Sequence, residues 1–143
     1  MHTFLEYRID IAVFLTRLVL GILFFFQGYD KIFRLGLAKT ENAIADALHN
    51  TKLPVPFVKF TVAVSSLIEL IAGLMLIAGF LIYPALAALG IDLLIVVFAM
   101  SLREPLWDMR YLWPRLVLLL LLLLLPALHD RISIDHLMNI YGN

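Results

Sequence analysis

Residues 16–33 read TRLVLGILFFFQGYDKIF, and how this stretch is read decides the fold. About 20 mostly apolar residues cross the hydrocarbon core of a bilayer as a helix, and this segment has that character. Yet Arg17 stands inside it with apolar residues on either side. A charge near the bilayer centre costs about 2.5–3.5 kcal/mol on insertion scales. A chain that keeps an arginine there must supply it with a partner inside the protein.

The rest of the sequence agrees with a membrane setting. Of 143 residues 63% are hydrophobic, and the mean hydropathy is +0.98. Soluble domains average roughly 45–50% apolar residues. Eleven basic and eleven acidic residues balance, so no net charge draws the chain to nucleic acid or to an acidic ligand. Cysteine is absent, which excludes disulfides, thiolate metal sites and dithiol redox chemistry within the chain. The N-terminal MHTFLEYRID carries Glu6 and Asp10 where a signal peptide would be purely basic, so the first apolar segment is expected to be retained.

Four segments reach spanning length, at about 9–33, 57–82, 84–102 and 111–129. Pro54 and Pro56 precede the second, Pro84 opens the third and Pro114 falls in the first turn of the fourth, places where a helix tolerates proline. FLIYP is short enough to make a tight hairpin between spans two and three, whereas REPLWDM joins spans three and four. The longer connection after span one reads as a short interfacial helix. Thr40 is expected to cap it, Glu41 suits its first turn, Asn50 ends it, and Leu37, Ile44 and Leu48 form a face for the membrane surface. The expectation is an all-α, integral membrane, antiparallel four-helix bundle over residues 1–143, a single domain.

The end of the bundle that holds both termini and FLIYP is called side A here, and the opposite end side B. Side B collects Lys31, Arg34, Lys39, Lys52, Lys59, Arg103 and Arg110, against Arg8 and Arg131 on side A. The excess of basic residues places side B in the cytoplasm and both termini outside.

Four ionisable residues lie within the expected spans: Arg17, Glu69, Asp92 and Arg115. Two bases and two acids sum to zero, and a guanidinium suits bidentate bonds to a carboxylate. Arg17 is expected to bond Glu69. Small and polar residues recur on the same faces: Asp10, Arg17, Gly21, Gly28 and Lys31 on span one; Ser65, Glu69 and Gly73 on span two; Ala85, Ala88, Asp92 and Ala99 on span three. Such stripes let membrane helices approach closely and bond across the contact. The network is compatible with a purely structural role, fixing which helices pack together, and with a ligand or proton role.

RLVLGILFFFQGYDKIF resembles the first-helix signature of the DoxX family, through Arg17, Leu20, Gly21, Phe24, Gly28 and Lys31. LIELIAGLMLIAG resembles the second-helix signature, with Glu69, Gly73 and Gly79. RISID, with Arg131, Ser133 and Asp135, resembles the family's short tail after the fourth helix. The resemblance implies a four-helix protein of a bacterial inner membrane. It also implies, from the relatives that are subunits of a thiosulfate:quinone oxidoreductase, a quinone as candidate cofactor and a protein partner subunit.

Histidines 2, 49, 129 and 136 all fall at ends or in loops, so neither haem nor a histidine-based metal site is expected. Gln27, Tyr29, Lys31, Trp107 and Trp113 gather at the side B mouth. An interfacial belt explains them, and so does a cleft for a quinone headgroup. Two roles stay open: a quinone-interacting subunit of an oxidoreductase, with no cofactor of the chain's own, or a non-catalytic accessory or assembly subunit. The bilayer is the expected surrounding in both.

Overall fold

The computed structural model describes residues 2–51, 53–103, 112–124 and 132–138, and these are all-helical or turn, with no strand among them. Helix α1 covers His2–Tyr29 and continues into one π-helical turn, Asp30–Arg34, closed by the bond from Leu35 N–H to the Asp30 carbonyl at 2.8 Å. Helices α2 (Leu37–Ala47), α3 (Val55–Ala78), α4 (Ile82–Arg103), α5 (Trp113–Leu124) and α6 (Ile134–Leu137) follow. Residues 7–34, 55–78 and 82–102 form three helices long and apolar enough to cross a membrane, and α5 is a shorter apolar helix. The expected fourth span, 111–129, lies partly outside the described residues.

The distribution of residue types is inverted relative to a protein in water. Ile11, Leu15, Val19 and Phe26 on α1, and Ile91, Leu94 and Phe98 on α4, are exposed, while Arg17, Ser66, Glu69 and Asp92 are each at most 1% exposed. Apolar surfaces turned outward and backbone groups satisfied within helices are what lipid requires. The core between the helices is built from Leu20, Phe24, Leu76, Leu86 and Leu89.

Glycines set how α1 and α3 meet. A Cβ on Gly28 would lie 2.5 Å from the Leu70 nitrogen, and one on Gly73 would lie 2.4 Å from the Phe25 nitrogen. The two backbones therefore touch, and the antiparallel register is fixed by small residues.

Several boundaries differ from the sequence expectation. Helix α3 stops at Ala78 rather than near 82, because Gly79 takes φ 71° and ends the helix. Phe80 N–H bonds the Met75 carbonyl at 2.9 Å and Gly79 N–H the Leu76 carbonyl at 3.2 Å, the pairing of a Schellman cap. Helix α4 begins at Ile82 and takes Pro84 into its first turn, where no intrahelical donor is lost. The interfacial helix exists, but Gly36 at φ 85°, not Thr40, stands at its N-cap. Thr40 lies inside the first turn, its hydroxyl bonding the Lys31 carbonyl at 3.2 Å. The apolar face of α2 does not lie open to a membrane surface: Ala45 and Leu48 are buried against Val58 and Val62 of α3, with Ile44 and Ala99 alongside.

Candidate functional site

Glu69 sits two-thirds of the way along α3 with its carboxylate buried, and all four long helices point polar groups towards it. The Lys31 ammonium, carried by the π-turn at the end of α1, lies 2.8 Å from Oε1 and 2.7 Å from Oε2. One turn earlier, the Gln27 amide donates to Oε1 at 2.7 Å. Gln27 and Lys31 are four residues apart and so share a face of α1. From α4, Asp92 comes close enough to act electrostatically on Glu69, as does Arg115 from α5. Asp92 is bonded by the Ser65 side chain and feels the charge of Lys31. The Arg115 guanidinium stands over the Phe24 ring at 5.9 Å. The cluster thus holds two cations and two carboxylates, a balance that limits the cost of burying them.

Arg17 is not part of it. The expected Arg17–Glu69 bond is absent, and Lys31 takes its place beside the acid. The Arg17 guanidinium reaches the end of α3, donating from Nη1 to the carbonyls of Leu76 and Ile77 and from Nη2 to the Ile132 carbonyl at 2.7 Å. The last carbonyls of a helix have no intrahelical donor and carry the negative end of its dipole, so a cation is stabilised there. The displacement follows from the early stop of α3. With the helix ending at Ala78, its free carbonyls fall level with Arg17, while Glu69 lies roughly 11 Å further along at 1.5 Å per residue.

The tail closes the same end. The Asp135 carboxylate, 3% exposed, accepts the backbone N–H of Leu81 at 2.7 Å and of Ile82 at 2.8 Å. It thereby caps the N-terminus of α4 from more than fifty residues away. Asp135 N–H in turn bonds the Gly79 carbonyl at 2.9 Å. Leu81 has φ 48°, a conformation costly for a non-glycine residue, and the Asp135 bond helps hold it. Ser133 caps α6 by accepting His136 N–H at 3.1 Å. Two of the three tail residues therefore serve backbone ends; Arg131 lies outside the described residues.

Of the expected mouth, Gln27 and Lys31 belong to the Glu69 cluster. Tyr29 does not: it is exposed and stacks between Phe25, at 6.2 Å, and Phe33, at 5.0 Å. Trp113 is 56% exposed at the start of α5, and Trp107 lies outside the described residues. No group of three metal-ligating side chains forms among the described residues.

The family model for DoxX matches residues 12–102, well over half of the chain and all of the Glu69 cluster except Arg115. The chain belongs to the DoxX family. No curated protein and no solved structure matches it. The match places Arg17, Lys31, Glu69 and Asp92 within the DoxX region, whereas the tail that caps α4 lies beyond it. With three helices able to cross a bilayer, the chain is a DoxX family membrane protein.

Proposed function

We propose that this DoxX protein is the quinone-binding membrane subunit of a larger redox assembly, spanning a bacterial inner membrane four times with side B in the cytoplasm. The observation that carries the reading is the Lys31–Glu69 pair. The lysine side chain keeps 19% of its exposure while the carboxylate beneath it keeps 1%. A cation is thus held at the edge of a buried polar cluster inside an otherwise apolar bundle, the combination a quinone site uses: apolar walls for the tail and a few fixed polar groups for the headgroup. The residues present suit such a headgroup, because buried acceptor atoms of Asp92 and Gln27 carry no protein donor. Lys31, Gln27 and Asp92 would hold it. When bound, a quinone supplies two-electron, two-proton chemistry. Glu69 keeps Lys31 charged and aimed, and Asp92 provides a carboxylate able to hold a proton.

A second reading, an accessory subunit without a ligand, draws on α5. Leu120, Leu121, Leu123 and Leu124 are exposed on it, Leu124 to 81%, a surface for lipid or for another membrane protein. Native mass spectrometry on gently extracted protein separates the two. The quinone reading expects an isoprenoid quinone retained by the wild type and lost from Lys31→Met of unchanged helicity. A stable complex with further subunits and no quinone supports the accessory reading.

A further inference from the structure

The bonds inside the Glu69 cluster leave it one-sided. Glu69 takes up the donors at hand, with both of its oxygens on Lys31 and one also on the Gln27 amide nitrogen. What remains over is acceptors: Oδ2 of Asp92 and Oε1 of Gln27 are buried and have no hydrogen-bond donor. Asp92 is 1% exposed, and its recorded bond is to the Ser65 side chain. A buried carboxylate oxygen without a donor is costly in low dielectric. Any ligand that brings an O–H to it recovers that cost, and one that brings only a carbonyl oxygen adds repulsion.

The two redox states of a quinone differ in this respect. The oxidised form presents carbonyl oxygens alone, which accept; the reduced form presents two hydroxyls, which donate. We infer that the cluster selects the quinol over the quinone, with Asp92 and Gln27 accepting from its hydroxyls, an inference that rests on the quinone reading above. A site built to bond a hydroxyl discriminates strongly against the analogue that lacks it, because its own polar groups are then left unpaired. Preference for the reduced form also raises the potential of the bound couple, by about 30 mV for each tenfold in affinity for a two-electron couple.

The test is a binding titration on the full chain in lipid nanodiscs under anaerobic conditions. Short-tailed ubiquinol and ubiquinone, and short-tailed menaquinol and menaquinone, are titrated separately and followed by tryptophan fluorescence. The expected result is a quinol bound at least about tenfold more tightly than its quinone, from one bond to a charged acceptor. Asp92→Asn, whose amide donates as well as accepts, should bring that ratio towards one, chiefly by a gain in quinone affinity. Equal or tighter binding of the quinone overturns the inference and leaves the quinone reading standing. An unchanged ratio in a folded Asp92→Asn does the same. Binding of neither form by the wild type overturns both. The wild-type ratio needs no variant, so the test survives an Asp92→Asn that does not fold.

Discussion

Arg17 and Lys31 are both cations on one side of α1, and they are used in opposite ways. At the side A end, the recorded bonds run between side chains and backbone: Arg17 to the carbonyls of α3 and of Ile132, Asp135 to the first N–H groups of α4. Around Glu69 they run between side chains, Lys31 and Gln27 to the carboxylate and Ser65 to Asp92. The first pattern finishes helix ends that would otherwise leave polar groups unsatisfied. The second does not serve any helix end. It gathers charges from separate helices at one point and keeps acceptors over. Buried charge in a membrane protein thus has two distinct uses here, and the partner, backbone or side chain, tells them apart.

The comparison predicts that the side A end is the more sensitive to substitution for stability. Asp135→Ala leaves two buried donors of α4 without an acceptor, each costing about 1–3 kcal/mol, so a loss of about 3 kcal/mol in thermal or denaturant unfolding in detergent is expected. Asp135→Asn, with a single acceptor oxygen, should recover part of it. Equal losses in the two variants would show that the carboxylate matters for its charge rather than for its two acceptors. Gly73→Ala should come next, at about 2 kcal/mol of overpacking, because its Cβ would meet the Phe25 backbone and separate α1 from α3 at both regions together. A loss of stability without any change in ligand binding would mean that the α1–α3 contact does not align the Glu69 cluster. The smallest effect belongs to Arg34→Ala. Arg34 pairs with Asp30 at 3.1 Å on an exposed face, and the change should stay within about 0.5 kcal/mol.

Much of this was legible in the sequence, and the part that was not has a physical reason. The apolar lengths gave the three long helices, Pro54, Pro56 and Pro84 marked their starts to within two residues, and the stripes of small residues indicated which faces meet. The presence of Glu69 and Asp92 inside the protein followed from the cost of exposing them to lipid. The pairing did not, because it depends on register. Registry is set by the backbone contacts at Gly28 and Gly73 and by the left-handed Gly79, which shortens α3 and brings its free carbonyls level with Arg17. Lys31 read as a member of an interfacial belt, since its position near the end of an apolar run hid the fact that Gln27, one turn earlier, shares its face. The capping role of Asp135 was invisible for another reason: its partners, Leu81 and Ile82, are more than fifty residues away and are backbone groups that any sequence supplies.

The central claim is that the two cations of α1 belong to separate regions, and double-mutant cycles on unfolding stability measure this directly. Lys31→Met and Glu69→Gln should be coupled by more than about 1 kcal/mol, whereas Arg17→Met and Glu69→Gln should add to within about 0.3–0.5 kcal/mol, as distant sites do. Strong coupling between Arg17 and Glu69, with additivity between Lys31 and Glu69, would contradict the account.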